Sequence, residues 1–131
     1  MTLPEKSGRQ IGAEHYRWAG VCDGWHLLKR ADLSVIEERV PPGGAEIRHR
    51  HAQARQYFYI LAGAAVLAFD GREVMLSAGE GIEVPPEVPH RFINASDQDV
   101  RFLVISAPST AGDRENLAEL SAQSSRRPGG S

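Results

Sequence analysis

The feature that most constrains this chain is a rhythm: short runs of β-branched and aromatic residues, broken by Gly, Pro, Asp or Asn, recur from Trp25 to Ile105. Runs of this length and spacing predict an all-β sandwich or barrel, with few stretches suited to helix. Candidate strands are Trp25–Leu28, Leu33–Val40, Glu46–His51, Gln56–Ala62, Ala64–Phe69, Arg72–Leu76, Gly81–Val84, His90–Asn94 and Val100–Ser106. Turn residues cluster between them. Asp70–Gly71 is the sharpest hairpin signal, since a type I′ turn wants positive φ at both central positions. A length of 131 residues predicts one domain. We divide the chain into an arm over 1–15, a β-barrel domain over 16–111 and a tail over 112–131. Residues before Tyr16 are polar and patternless, so a loose arm or an edge strand against a neighbouring subunit is expected. Asp113–Leu120 has the composition of one or two helical turns, and Ser121–Ser131 that of a disordered end.

The formal charge of -2 leaves no basic excess with which to grip a phosphate backbone, so nucleic acid is not expected as a partner. Neither is a membrane. The first residues lack a charged start followed by an apolar core, and no apolar run reaches ~18 residues, which predicts a soluble cytoplasmic protein. The single cysteine, Cys22, rules out an intrachain disulfide and reads as a small buried apolar residue.

Chemistry concentrates in one segment. His49 and His51 are one residue apart, and a strand sends alternate side chains to the same face. Two imidazoles on one face can offer two nitrogens to a metal at ~2.0–2.2 Å, but a site needs more. His90 follows the rigid PPEVP turn and opens another strand, which makes it the third candidate, from a facing strand. Gln56 could add an amide oxygen. Any one of these histidines alone reads more readily as a hydrogen-bonded surface or core residue.

The surrounding pattern resembles the two motifs of the cupin superfamily. Gly43, His49, His51, Gln56 and Gly63 follow the first, with Gln56 in place of its Glu; Gly79, Pro85, Glu87, His90 and Asn94 follow the second, with Glu87 in place of its Gly. The resemblance spans Trp25 to Pro108. It implies a small single-domain antiparallel β-barrel of the RmlC-like jelly-roll (double-stranded β-helix) kind, with a divalent metal inside.

Both departures bear on function. With Gln56 the ion meets three imidazoles and a neutral amide, which favours Zn, Fe, Ni or Cu over Mn. Glu87 is harmless if its backbone needs no positive φ. If Gln56 points inward, period-2 alternation brings Phe58 and Ile60 to its face, and Phe92 follows His90, giving three cavity-lining candidates. Arg48 and Arg50 should point outward. At least one of Glu37, Glu38 and Arg39 should face inward as a substrate handle or acid–base group. Tyr57, Tyr59, Leu61 and Trp18 form an outer apolar set that predicts a homodimer. The expected function is to bind or transform a small organic molecule in the barrel. A dioxygenase-type oxidoreductase ranks just above a sugar-phosphate isomerase or lyase, and a non-catalytic ligand-binding or sensing module is the alternative.

Overall fold

The computed structural model describes residues 3–118. Eleven strands run in chain order: β1 (Glu14–Trp18), β2 (Cys22–Lys29), β3 (Ser34–Val40), β4 (His49–Arg50), β5 (Arg55–Ala62), β6 (Ala64–Phe69), β7 (Arg72–Ser77), β8 (Gly81–Val84), β9 (His90–Ile93), β10 (Val100–Ala107) and β11 (Glu115–Asn116). They form two antiparallel sheets, six-stranded in the order β1-β2-β3-β10-β5-β8 and five-stranded in the order β11-β4-β9-β6-β7. The architecture is therefore the expected all-β jelly roll. Its two sheets are separate hydrogen-bonded ladders, not one ladder closed into a ring.

Inward rows run straight across the larger sheet. Phe102 pairs with Glu38 on one side and Ile60 on the other, and Val104 with Ile36 and Phe58. The smaller sheet answers with Leu67 opposite Phe92. The core is sealed between them: Phe92 on β9 stacks on Phe102 on β10, ring centroids 3.9 Å apart. Cys22 is fully buried in this core, as its composition-based reading expects.

Several local expectations change. The hairpin at Asp70–Gly71 forms, pairing Phe69 with Arg72, but only Gly71 has positive φ, so the turn is not type I′. The N-terminal segment supplies β1, an edge strand of its own sheet, through a turn in which Ala19 and Gly20 both take positive φ. Asp113–Leu120 does not start a helix. Its described part forms β11, because the open edge of β4 offers backbone partners that a lone short helix would lack. The tail from 119 on, including the expected disordered end, lies outside the described residues.

Glu87 also departs from its sequence reading. Its φ is +73°, so this chain places a carboxylate side chain where the motif's glycine would be free of strain. Its N–H donates to the His51 carbonyl at 2.7 Å, tying the PPEVP turn to the histidine segment. Asn94, fully buried, donates to Val40 O and Gln98 O and accepts from Ser96, so every polar atom of its side chain is used in holding the strand end.

Candidate metal centre and cavity

His49 and His90 are direct cross-strand partners on β4 and β9, so the third imidazole comes from the neighbouring strand of the same sheet and not from a facing one. Their ring centroids lie 4.4 Å apart, and the His51 ring is 5.0 Å from His49 and 5.9 Å from His90. One ring nitrogen from each of the three lies within 4.8 Å of the others, and all three residues are buried.

The backbone settles which nitrogens are available. Nδ1 of His49 donates to Ile47 O at 2.7 Å, Nδ1 of His90 to Val88 O at 2.9 Å, and Nδ1 of His51 to the Asp113 carbonyl. A carbonyl can only accept, so each proton sits on Nδ1 and each Nε2 presents a lone pair. Burial holds His49 and His90 down to about 4, which keeps both neutral at pH 7.

Two polar atoms here are buried without a hydrogen-bond partner: His90 Nε2 and Gln56 Oε1. An orphaned buried acceptor costs about 1–3 kcal/mol, so a cation that either atom coordinates would relieve a real penalty. The residues fit a metal. Gln56, on β5 in the opposite sheet, lines one cavity with His49 and His51, with Nε2 donating to Ser106 Oγ at 3.1 Å.

A cavity of about 360 Å³ opens onto this cluster, lined by His49, His51, Gln56 and Phe58 and, from the far side, by Tyr16, Trp18, Glu38, Glu46 and Arg114. The size suits a small organic molecule. Of the inward triplet, Phe58 lines the cavity, whereas Ile60, on the same face of β5, and Phe92, from the facing sheet, lie in the packed core beneath it, fully buried. Trp18, expected on the outside, lines the cavity from the end of β1, the edge strand that pairs with β2. Ile47 is at the rim, 58% exposed. Arg48 and Arg50 do point outward, to Asp70 and Glu115.

Sequence parity could not choose among Glu37, Glu38 and Arg39; the structure brings in Glu38. Its carboxyl accepts the Tyr16 hydroxyl at 2.5 Å, and burial, with the nearby Glu46 charge, pushes it up to about 8. Tyr16 reaches it across Gly24, where any Cβ would come within 2.1 Å of the Tyr16 ring. Glu46, half-buried on the same cavity, is a second acid raised by desolvation, with Oε1 accepting the Phe92 N–H at 3.0 Å. Tyr16, Asp113 and Arg114 sit outside the two histidine motifs, and Glu46 falls at an unspecified position inside the first, so none of the four carried a motif signal.

A jelly roll with three converging imidazoles beneath an open cavity defines a class, and the chain belongs to it: the cupin-domain family Cupin_2 matches residues 36–106. An uncharacterized protein of Methanocaldococcus jannaschii, MJ1618, is 26% identical over 94 residues, covering 72% of this chain and 75% of that protein. An oxalate-binding protein of Thermotoga maritima is 28% identical over 107 residues, 78% of this chain and 84% of that one. The chain spans only 44% and 50% of the length of two Streptomyces relatives that it also matches. Among solved structures, the polyketide cyclase RemF of Streptomyces resistomycificus superposes with a TM-score of 0.74 at 22% identity, covering 89% of each chain, a likeness of fold.

Proposed function

We propose that this cupin holds one divalent transition metal on the Nε2 atoms of His49, His51 and His90, with Gln56 Oε1 as a fourth donor, and catalyses a proton-transfer reaction on a small organic molecule. The observation that carries the reading is the common orientation of the three imidazoles, each pinned through Nδ1 by a backbone carbonyl. Such pinning fixes tautomer and ring plane and raises ligand basicity. A neutral donor set favours zinc, iron, nickel or copper over manganese. When bound, the ion supplies Lewis acidity toward a carbonyl or hydroxyl oxygen.

The chain's own residues supply the rest. Glu38, with a carboxyl shifted to about 8, can take or give a proton near neutral pH, and the Tyr16 hydroxyl holds its orientation. Trp18, Ile36 and Phe58 form apolar wall that limits water around that exchange. A placed acid–base group opposite the imidazoles favours lyase or isomerase chemistry over dioxygenase-type oxidation, which needs no such group. The names of the oxalate-binding relative and the polyketide cyclase neighbour support a small organic molecule as the ligand.

Elemental analysis tests the metal directly. Protein expressed in metal-supplemented medium should carry close to one transition-metal ion per chain, and His51→Ala should lose it while keeping its β-sheet circular dichroism. Wild-type protein without metal after that treatment would overturn the reading.

A further inference from the structure

We propose that the ligand of this cavity is an organic carboxylate, and that Arg114 is the residue that recognises it. The inference rests on the metal-site reading above and adds the substrate class and the group that selects it.

Arg114 is the one cationic side chain, apart from the histidines, among the residues lining the cavity. Its position is fixed from both sides. Just before it, the Asp113 carboxylate accepts the N–H groups of Ala52, Gln53 and Ala54 at 2.7, 3.0 and 2.9 Å. Just after it, Glu115 and Asn116 pair with Arg50 and His49, and the Leu117 N–H donates to Arg48 O at 2.8 Å. The guanidinium is oriented too, because its Nε donates to Asn116 Oδ1 at 2.8 Å. Its two terminal nitrogens have no partner among the described residues. A guanidinium held by Nε with Nη1 and Nη2 open presents the planar fork that matches a carboxylate.

Charge balance points the same way. Glu38 and Glu46 line the same cavity and feel the Arg114 charge, yet neither forms an ion pair with it among the described residues. Where other members of the motif place a carboxylate, this chain has Gln56, so nothing in the proposed donor set neutralises a bound cation. A divalent ion over neutral donors together with Arg114 outweighs the Glu46 charge in this small cavity and leaves a positive excess that an incoming anion would match. A ligand of this class would set its carboxylate on Arg114 and turn its reacting end toward Glu38 and the imidazoles.

Malonate and its neutral diamide, malonamide, make the test, titrated calorimetrically into the full chain with and without metal. Wild-type protein should bind malonate and not malonamide, and Arg114→Gln should weaken malonate by about 10- to 100-fold in the metal-loaded protein. Arg114→Lys should recover part of that loss. Metal content and thermal midpoint of both variants should match wild type, since the side chain is exposed. Equal malonate affinity in wild type and Arg114→Gln, or malonamide binding as well as malonate, would overturn the inference. Failure of the metal reading looks different: no metal is taken up, while malonate binding to the metal-free chain still depends on Arg114. No malonate binding in either form would also overturn it.

Discussion

Replacing Glu38 with Gln should make the metal-free protein more stable at pH 7.5 and leave it little changed at pH 5. Glu38 is only 9% exposed, and its carboxyl sits at about 8 instead of the ordinary 4.5. Between those values the native chain keeps a proton that the unfolded chain gives up. The native state therefore binds more protons, and stability falls as pH rises from 4.5 toward 8. Each pH unit in that window is worth ~1.4 kcal/mol, so three units between 4.5 and 7.5 set a ceiling of about 4 kcal/mol. Gln keeps an acceptor for the Tyr16 hydroxyl and never ionises, which removes that slope. Part of the ceiling is lost to relaxation, and a gain of about 2–3 kcal/mol at pH 7.5 is the expected reading. The opposing contribution of His49 and His90, whose values near 4 make the native chain lose stability as pH falls below 6.5, is common to both proteins and cancels in the difference. Urea melts of both proteins at pH 5, 6.5 and 7.5 measure it. A difference that does not grow with pH would refute the assignment of Glu38 as a buried protonated acid, and with it the proton-transfer role. If the assignment holds, the stabilised variant should also be the inactive one, as expected where function keeps an uncomfortable group in place.

Other sites test other parts of the reading. Gln56→Glu should tighten Mn²⁺ binding by about 100-fold in a competition titration, by setting a charged oxygen among the imidazoles; unchanged affinity would put that side chain outside the coordination sphere. Glu87→Gly should raise stability in urea melts by about 1 kcal/mol by relieving its φ of +73°, since the exposed ion pair with Arg50 at 3.8 Å contributes little; a destabilised variant would contradict this. Asp113→Ala should weaken metal affinity by about 10- to 100-fold, because the carboxylate that anchors the segment carrying His51's carbonyl partner is gone. Asp113→Asn should fall between the two, and wild-type affinity in both would show that the anchor is idle.

What the sequence made legible follows from the range of each signal. Period-2 alternation is local, so the shared face of His49 and His51, and of Gln56, Phe58 and Ile60, reads directly from spacing. Depth is not local: alternation cannot tell a cavity wall from the core one layer below, which is why Phe58 and Phe92 look alike until the sheets are stacked. The run Glu37, Glu38, Arg39 offers three polar residues to two faces, and only pairing with β2 and β10 decides that Glu38 goes in. Tyr16 was hidden for a related reason. β1 has no apolar alternation of its own and is held by backbone pairing to β2, with Gly24 clearing space for the ring. The described part of Asp113–Leu120 misled composition, because its order comes from partners some 60 residues earlier, such as Ala52 and Gln53 for Asp113.

The two sheets divide the chemistry, and that division explains why the core beneath the cavity matters to it. The three imidazoles belong to the five-stranded sheet or its β4 extension, where ladder register and backbone carbonyls fix their mutual geometry. Gln56, Glu38 and Tyr16 belong to the six-stranded sheet. Nothing in either ladder fixes the distance between these two groups; that falls to side chains bridging the sheets, chiefly Phe92 on Phe102, with Phe58 against both and 6.0 Å from His90. Interiors packed at crystal-like density transmit small volume changes rather than absorb them. A substitution at Phe92 or Phe102 therefore acts on the separation of acid and imidazoles, whereas one at Ile47 or Val88, whose carbonyls hold the rings, acts within the imidazole cluster. The inter-sheet stack is thus the part of the hydrophobic core with the most direct hold on the proposed reaction.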